Sequence, residues 1–347
     1  MLLVLLVLLM ICVGALAAGC RVERVAPGGE GAPGGESAEP VGDVWVYTSI
    51  YRPVLDALDP VIQRRLPKVR VHWFQAGSEK VASRLEAELA SGATQADVLA
   101  TSDPFFYERL KARGAFLRYA SAEGLRTPRS LIDLDGHYAA CRLSTMVIAH
   151  RTDVAEPPKS FKALAEPRWK GEVALGDPLT SGTAFTWAVF LEGKYGAAWF
   201  RALRENGAVV AGGNAAVQQR LEGGEAKVGV LLLENVLTAR AKGAALAFEY
   251  PEDGAVVIPG DLAILKGTRN PRAAKALVDL LLSPEGQAVI VRQGNMHAVD
   301  PRQPGPGGEA GVDALMEHSQ PWTPEALSRG VEQGAGIKSD FTRAFAK

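Results

Sequence analysis

Residues 96–114, ADVLATSDPFFYERLKARG, set two patterns back to back. A short apolar run ends in the small hydroxyl residues Thr101 and Ser102 and reads as a buried strand. Asp103-Pro104 then opens a helix, because an aspartate caps free N–H groups and a proline suits the first helical position. The unit is therefore strand, hydroxyl-bearing turn, helix. It recurs upstream. VWVYTS (44–49) is a strand pattern followed by helical spacing in YRPVLDALDPVIQRRLP (51–67). KVRVHWFQ (68–75) alternates as a strand, and GSEKVASRLEAELASG (77–92) is a helix with Ser78 expected as its cap. Three such units in a row imply an α/β fold with a parallel sheet covered on both faces.

The pattern breaks at YAACRLSTMVIAHR (138–151), a long strand-like run, and then restarts. SFKALAEPRWKGEVALGDP (160–178) leads to a helix from Ser181. WFRALRENGAVVAGG (199–213) leads to a helix from Asn214, and AKVGVLLLEN (226–235) is a strand. A second long apolar run, GAVVIPGDLAILKG (254–267), precedes helices over 270–294, a Pro/Gly-rich break at 301–308 and a poorly patterned tail. Two α/β lobes linked by two long strands is the expected architecture.

At 347 residues the chain has room for two lobes, and a formal net charge of -1 gives no footprint for nucleic acid. The uncharged stretch Leu2–Ala18 followed by Gly19-Cys20 reads as a secretory signal whose Cys20 would be lipidated. The alternative is a plain signal anchor, since the run is only just long enough to span a bilayer. Residues 21–42, rich in Gly, Pro and Glu, read as a flexible tether. Once Cys12 leaves with the signal and Cys20 is acylated, Cys141 is the only free thiol, so the core alone must hold the fold.

Ligands of open α/β sheets sit beyond the carboxyl ends of strands, where helix N-termini collect and favour anions. Four junctions share that chemistry: Thr48-Ser49, Gly77-Ser78, Thr101-Ser102-Asp103 and Ser181-Gly182-Thr183. Any one of them alone reads as a simple helix cap, and it is the recurrence that points to a binding cleft. Asn214 opens a further helix. Glu234-Asn235 end a buried strand, and Tyr51 follows the first strand. Arg52, Lys80 and Arg142 are candidate anion clamps against the ordinary reading of solvated surface charge. Phe185 and Trp187 are expected to pack a helix on the sheet. The five histidines form no short-range ligand pair, and no nucleophile elbow, Walker loop or dinucleotide turn is present. No cofactor or catalytic residue is expected.

In order and spacing, VWVYTS, GSEKVASRLEAELASG, ADVLATSDPFFYERLKARGAF, SFKALAEPRWKGEVALGDPLTSGT, GGEAKVGVLLLEN and IPGDLAILKGTRNPRAAKALVDLLLSPEGQ resemble the solute-binding proteins of bacterial ABC importers. The similar group contains ferric-iron and 2-aminoethylphosphonate binders. The resemblance implies a type II periplasmic-binding-protein (Venus flytrap) clamp with hinge strands near 140–150 and 255–265. It further implies no enzyme activity, a monomer, a periplasmic or cell-exterior location and an ABC permease as partner. The expected division is a signal peptide at 1–19, a lipidated linker at 20–42, lobe one at 43–140 plus 260–347, and lobe two at 141–259. In the ferric branch an adjacent tyrosine pair follows the strand matching VGVLLLEN. That region here has no tyrosine, which leaves Tyr51, Glu88 and Glu234 as a remnant metal set. The favoured ligand is a small polar anion such as an organophosphonate or phosphate ester. The expected ligand-binding residues are Ser49, Tyr51, Ser78, Thr101, Ser102, Ser181, Gly182, Thr183, Asn214, Glu234 and Asn235. A ferric carrier, a ligand-sensing lipoprotein and a secreted hydrolase or transferase are the alternatives.

Overall fold

The computed structural model describes residues 39–346, so the apolar leader, Cys20 and most of the expected tether lie outside the described residues. The first three units form β1 (Gly42–Thr48), α1 (Arg52–Arg65), β2 (Val69–Gln75), α2 (Ser78–Ala90), β3 (Val98–Thr101) and α3 (Pro104–Ala112). β1 lies between β2 and β3 and runs parallel to both, with Val46 opposite Trp73 and Val98. Asp103 caps α3 by accepting from the Phe106 N–H at 3.1 Å. Ser78 does not cap α2. It is the first helical residue, and its hydroxyl accepts from the Ser102 N–H at 3.3 Å instead.

The long run forms β4 (Tyr138–Arg151), and the pattern resumes as β5 (Val173–Leu175), α4 (Gly182–Tyr195), α5 (Ala197–Glu205), β6 (Val209–Val210), α6 (Asn214–Glu222), β7 (Val228–Leu232), α7 (Leu233–Ala241), β8 (Leu246–Glu249) and β9 (Val256–Ile264). The strands join in the order β2-β1-β3-β9-β4-β7-β5-β6, with β8 beside β4. The sheet is mixed, where the repeated units alone implied a parallel one. β9 enters from the second lobe and so runs back antiparallel to both β3 and β4. β4 pairs with β9 from Tyr138 to Met146 and with β7 from Met146 to His150, so one strand belongs to the sheets of both lobes.

Each lobe buries apolar side chains on both faces of its sheet. In lobe one, α1, α8 (Pro271–Leu282) and α9 (Pro284–Gly294) cover one face. The other face carries α2 and α3. In lobe two, α4 and α5 cover one face and α6 and α7 the other. Phe185 and Trp187 are buried in the first of these, as packing residues.

The tail beyond the Pro/Gly-rich break is helical: α10 (Val312–Glu317), α11 (Pro324–Glu332) and α12 (Gly334–Phe345). This tail touches elements of both lobes. α8 and α9 do join lobe one, but α11 and α12 pack on α4, α5 and α3. Ile337 and Phe341 of α12 are buried there, with the Phe341 ring 5.2 Å from that of Phe200. Each such buried side chain contributes roughly 1.5–3 kcal/mol. Among the described residues, no helix is long and apolar enough to cross a membrane.

Candidate functional site: a cleft of helix N-termini over a buried arginine

A cavity of about 230 Å³ opens where the N-terminal turns of α1, α2, α4, α6 and α7 meet above β4. The helices point here because each follows a strand whose carboxyl end faces the gap between the lobes. Their free N–H groups and dipoles make the space favourable for negative charge.

The floor is Arg142, which is 1% exposed. Its Nη2 donates to Ser49 Oγ and to Ser102 Oγ at 3.1 Å each, one hydroxyl from the end of β1 and one from the turn before α3. Among the described residues no carboxylate lies within ion-pair distance of it. The side chain fits because its β9 register partner is Gly260, where a Cβ would lie 2.6 Å from Arg142 Cγ. The guanidinium is held by the Ser49 and Ser102 hydroxyls and by the Cys141 sulfur at 3.7 Å, and its charge also acts on the buried carboxyls of Asp261 and Glu234. With no carboxylate in direct contact, the cavity above it is the place for an anion.

Glu234 is 2% exposed and lies in the first turn of α7, two residues past the end of β7 rather than at it. Burial pushes its carboxyl up to about 7, against the lowering effects of the Ser144 hydroxyl and the Arg142 charge. Its neighbour Asn235 accepts from the Tyr51 hydroxyl at 3.1 Å, a contact between the α1 and α7 termini across the cleft. The Tyr51 phenol is raised above its ordinary range, first by burial of the hydroxyl and then by Glu234.

From lobe two, Ser181 caps α4 by accepting from the Ala184 N–H at 3.3 Å, and it lies 3.0 Å from the Thr183 hydroxyl. Thr183 Oγ1 accepts from Asn214 Nδ2 at 2.9 Å, which ties the α4 and α6 termini together. Gly182 is a point of close approach between the lobes. A Cβ there would be 2.8 Å from the Ser102 carbonyl oxygen and 3.0 Å from Ser78 Cβ. Gly182→Ala should therefore hold the lobes apart and weaken anion binding about tenfold or more. Isothermal titration of the variant beside the parent measures this, and unchanged affinity would mean that the approach is not used in binding.

The structure thus gathers Ser49, Tyr51, Ser78, Ser102, Ser181, Gly182, Thr183, Asn214, Glu234 and Asn235 around one cavity. Thr101 is not among them. Side chains alternate along a strand, so Thr101 faces the interior beneath α3 while Ser102 turns into the cleft. Glu88 also lies elsewhere. It sits ten residues along α2, roughly 15 Å from that helix's cleft end. Its carboxylate is held by Tyr47 at 2.7 Å, Arg84 at 2.7 Å and Thr94 at 3.0 Å. Tyr51, Glu88 and Glu234 therefore do not form a metal set. Arg52 pairs with Asp56 on the surface at 2.8 Å, and Lys80 is exposed outside the cavity. Asp133, Asp135 and His137 bring possible ligand atoms within 4.8 Å of one another, but the Lys111 ammonium already lies 2.6 Å from each carboxylate.

The sequence reading passed over Ser144, Gly213 and Met296, which also line the cavity. Ser144 was findable, because it follows Arg142 by two residues in one strand and shares its face. Met296 reaches the cleft only through the fold of the segment after α9.

Three solved structures share this fold. Iron-bound HitA from Pseudomonas aeruginosa is 21% identical, with a TM-score of 0.76 over 87% of this chain and 99% of that one. AfuA from Actinobacillus pleuropneumoniae with fructose-6-phosphate bound is 20% identical, with a TM-score of 0.76 over 88% and 98%. The substrate binding protein of an ABC transporter from Agrobacterium tumefaciens is 19% identical, with a TM-score of 0.78 over 89% and 96%. An uncharacterized protein of Haemophilus influenzae is 35% identical over 146 residues, which span 41% of this chain and 42% of that protein's length. The family model for bacterial extracellular solute-binding proteins matches residues 44–295. With two α/β lobes around a polar cleft and that match over most of its length, the chain belongs to the bacterial extracellular solute-binding protein family.

Proposed function

We propose that this protein captures a small polar anion, an organophosphonate or a phosphate ester, between its lobes and delivers it to the permease of an ABC importer. The observation that carries this reading is Arg142, a buried cation with no carboxylate in ion-pair contact among the described residues, at the floor of a cleft ringed by helix N-termini. An anion there would receive charge-assisted hydrogen bonds from the guanidinium and neutral ones from the turn hydroxyls and N–H groups. Donors from both lobes make closure follow from binding, since a ligand shifts an equilibrium only through its differential affinity for the two states. Lipid attachment at Cys20, with a monomeric body tethered near the permease, completes the proposal.

A thermal-shift screen against organophosphonates, phosphate esters, polyamines and ferric complexes tests it. A true ligand at a hundredfold excess over its Kd stabilises the protein by about 2.7 kcal/mol. Shifts with phosphonates or phosphate esters and none with polyamines or ferric complexes are the expected result. A shift with ferric complexes alone would overturn the anion reading.

A further inference from the structure

The C-terminal helices bridge the two lobes. α12 is anchored in lobe two by Ile337 and Phe341, yet Lys338, on the same helix, reaches lobe one. Its ammonium lies 2.7 Å from Glu79 Oε1, in the first turn of α2, and 4.2 Å from the centroid of the Phe185 ring on α4. Both members of the ion pair are only about one-fifth exposed. Glu79 is next in sequence to Ser78 of the cleft, and its charge also acts on the buried carboxyl of Asp103, which Lys338 offsets. A second contact lies beside it. Gly330 of α11 sits against the Phe105 ring of α3, where a Cβ would come within 2.1 Å of a ring carbon. Gly334 is packed in the same way on Phe185. Two glycines thus let the pair α11–α12 press on one aromatic side chain from each lobe, and the rings of Phe105 and Phe185 themselves meet edge to face at 5.4 Å.

We propose that α11–α12 is a clasp carried by lobe two that biases the cleft toward its closed form, with the Lys338–Glu79 pair as its releasable contact. The proposal rests on the clamp reading above. Opening the cleft separates α2 from α4 and so must pull Glu79 away from Lys338 and Phe105 away from Gly330. The stability of these contacts enters the open–closed equilibrium without any of them touching the ligand. Apparent affinity scales with the fraction of molecules already in the binding-competent form.

The test uses the full chain, methylphosphonate and inorganic phosphate as probes, and small-angle X-ray scattering without ligand. Lys338→Met and Glu79→Gln should each enlarge the radius of gyration and weaken probe binding about three- to tenfold. The exchanged pair Glu79→Lys with Lys338→Glu should recover most of both losses, which a merely local packing defect would not. Single variants with parental scattering and affinity would overturn the clasp. If the parent binds neither probe, the anion reading fails, and scattering of the ligand-free variants still decides the clasp: expansion supports it and parental dimensions overturn it.

Discussion

Arg142→Met should cost at least about a hundredfold in anion affinity while leaving the unliganded protein as stable as before, or more so. The two effects have one origin. Burying a guanidinium without a paired charge costs several kcal/mol, partly offset by the bonds to Ser49 and Ser102. Methionine has a similar unbranched stem and can follow the same path over Gly260, so the variant removes the charge without opening a large cavity. The hydroxyls left behind line the cleft, where water can replace the lost donor. A bound anion, in contrast, loses the one cation that lines the cavity among the described residues. Lysine at this position should bind with intermediate affinity, because an ammonium lacks the planar fork that meets two oxygens at once. Titration calorimetry for affinity and thermal unfolding for the unliganded protein give the two readouts. A large fall in Tm with affinity retained would make Arg142 a strut between β4 and the turns of lobe one, and the anion reading would lose its main support.

Why the sequence offers Arg142 only as one of three candidate clamps, beside Arg52 and Lys80, bears on what a linear reading can reach. The strand–turn–helix units were legible because each rests on local rules: period two, then a capping residue, then period 3.6. Asp103-Pro104 opens α3 as those rules require, and Ser181 caps α4. Arg142 differs. Nothing near it in sequence distinguishes it from a surface arginine. Its burial depends on Gly260, a β9 partner 118 residues away, together with hydroxyls from two turns. The antiparallel course of β9 was hidden for the same reason, since pairing partners are set by topology and not by local pattern.

Two smaller misreadings have equally specific causes. Thr101 and Ser102 look alike as a hydroxyl pair, yet strand alternation sends one inward and one into the cleft. Glu88 reads as an available oxygen ligand in sequence, but its position ten residues along α2 carries it away from the cleft. The C-terminal helices escaped notice because Gly330, Gly334 and Gly336 dilute their apolar pattern. At Gly330 and Gly334 the lack of a side chain is what allows close packing on Phe105 and Phe185. In the cleft, by comparison, the four hydroxyl-bearing junctions meet at one cavity, because each follows a strand end that faces the gap between the lobes. Three of them deliver a hydroxyl to the cavity, from Ser49, Ser102 and Ser181-Thr183, and at the fourth Ser78 lines the wall.

Glu234 carries the second large expectation, a loss of stability on raising the pH. Its folded-state value is about 7, against an ordinary value of 4.5, with burial as the main cause. A carboxyl whose folded value is raised stabilises the folded state while it stays neutral. That contribution is complete below about pH 4.5 and is lost as the pH rises through 7, because the unfolded chain ionises first. The difference of about 2.5 units corresponds to about 3 kcal/mol. Asp103, buried and pushed up to about 6 from 3.8, acts in the same direction over a lower window. The unliganded protein should therefore be more stable at pH 5 than at pH 8, after allowance for its other groups. Glu234→Gln isolates the effect, since glutamine is similar in shape and does not ionise. Relative to the parent, this variant should gain several degrees in Tm between pH 5 and pH 8, and most of that gain should fall between pH 5.5 and 7.5. Parallel Tm profiles for parent and variant across the range would show that Glu234 is solvated in the open cleft and ionises freely. A ligand bearing a hydrogen-bond donor toward Glu234 should narrow the gap at pH 8, because it adds a partner to the Ser144 hydroxyl and backbone N–H groups that already face the buried carboxylate.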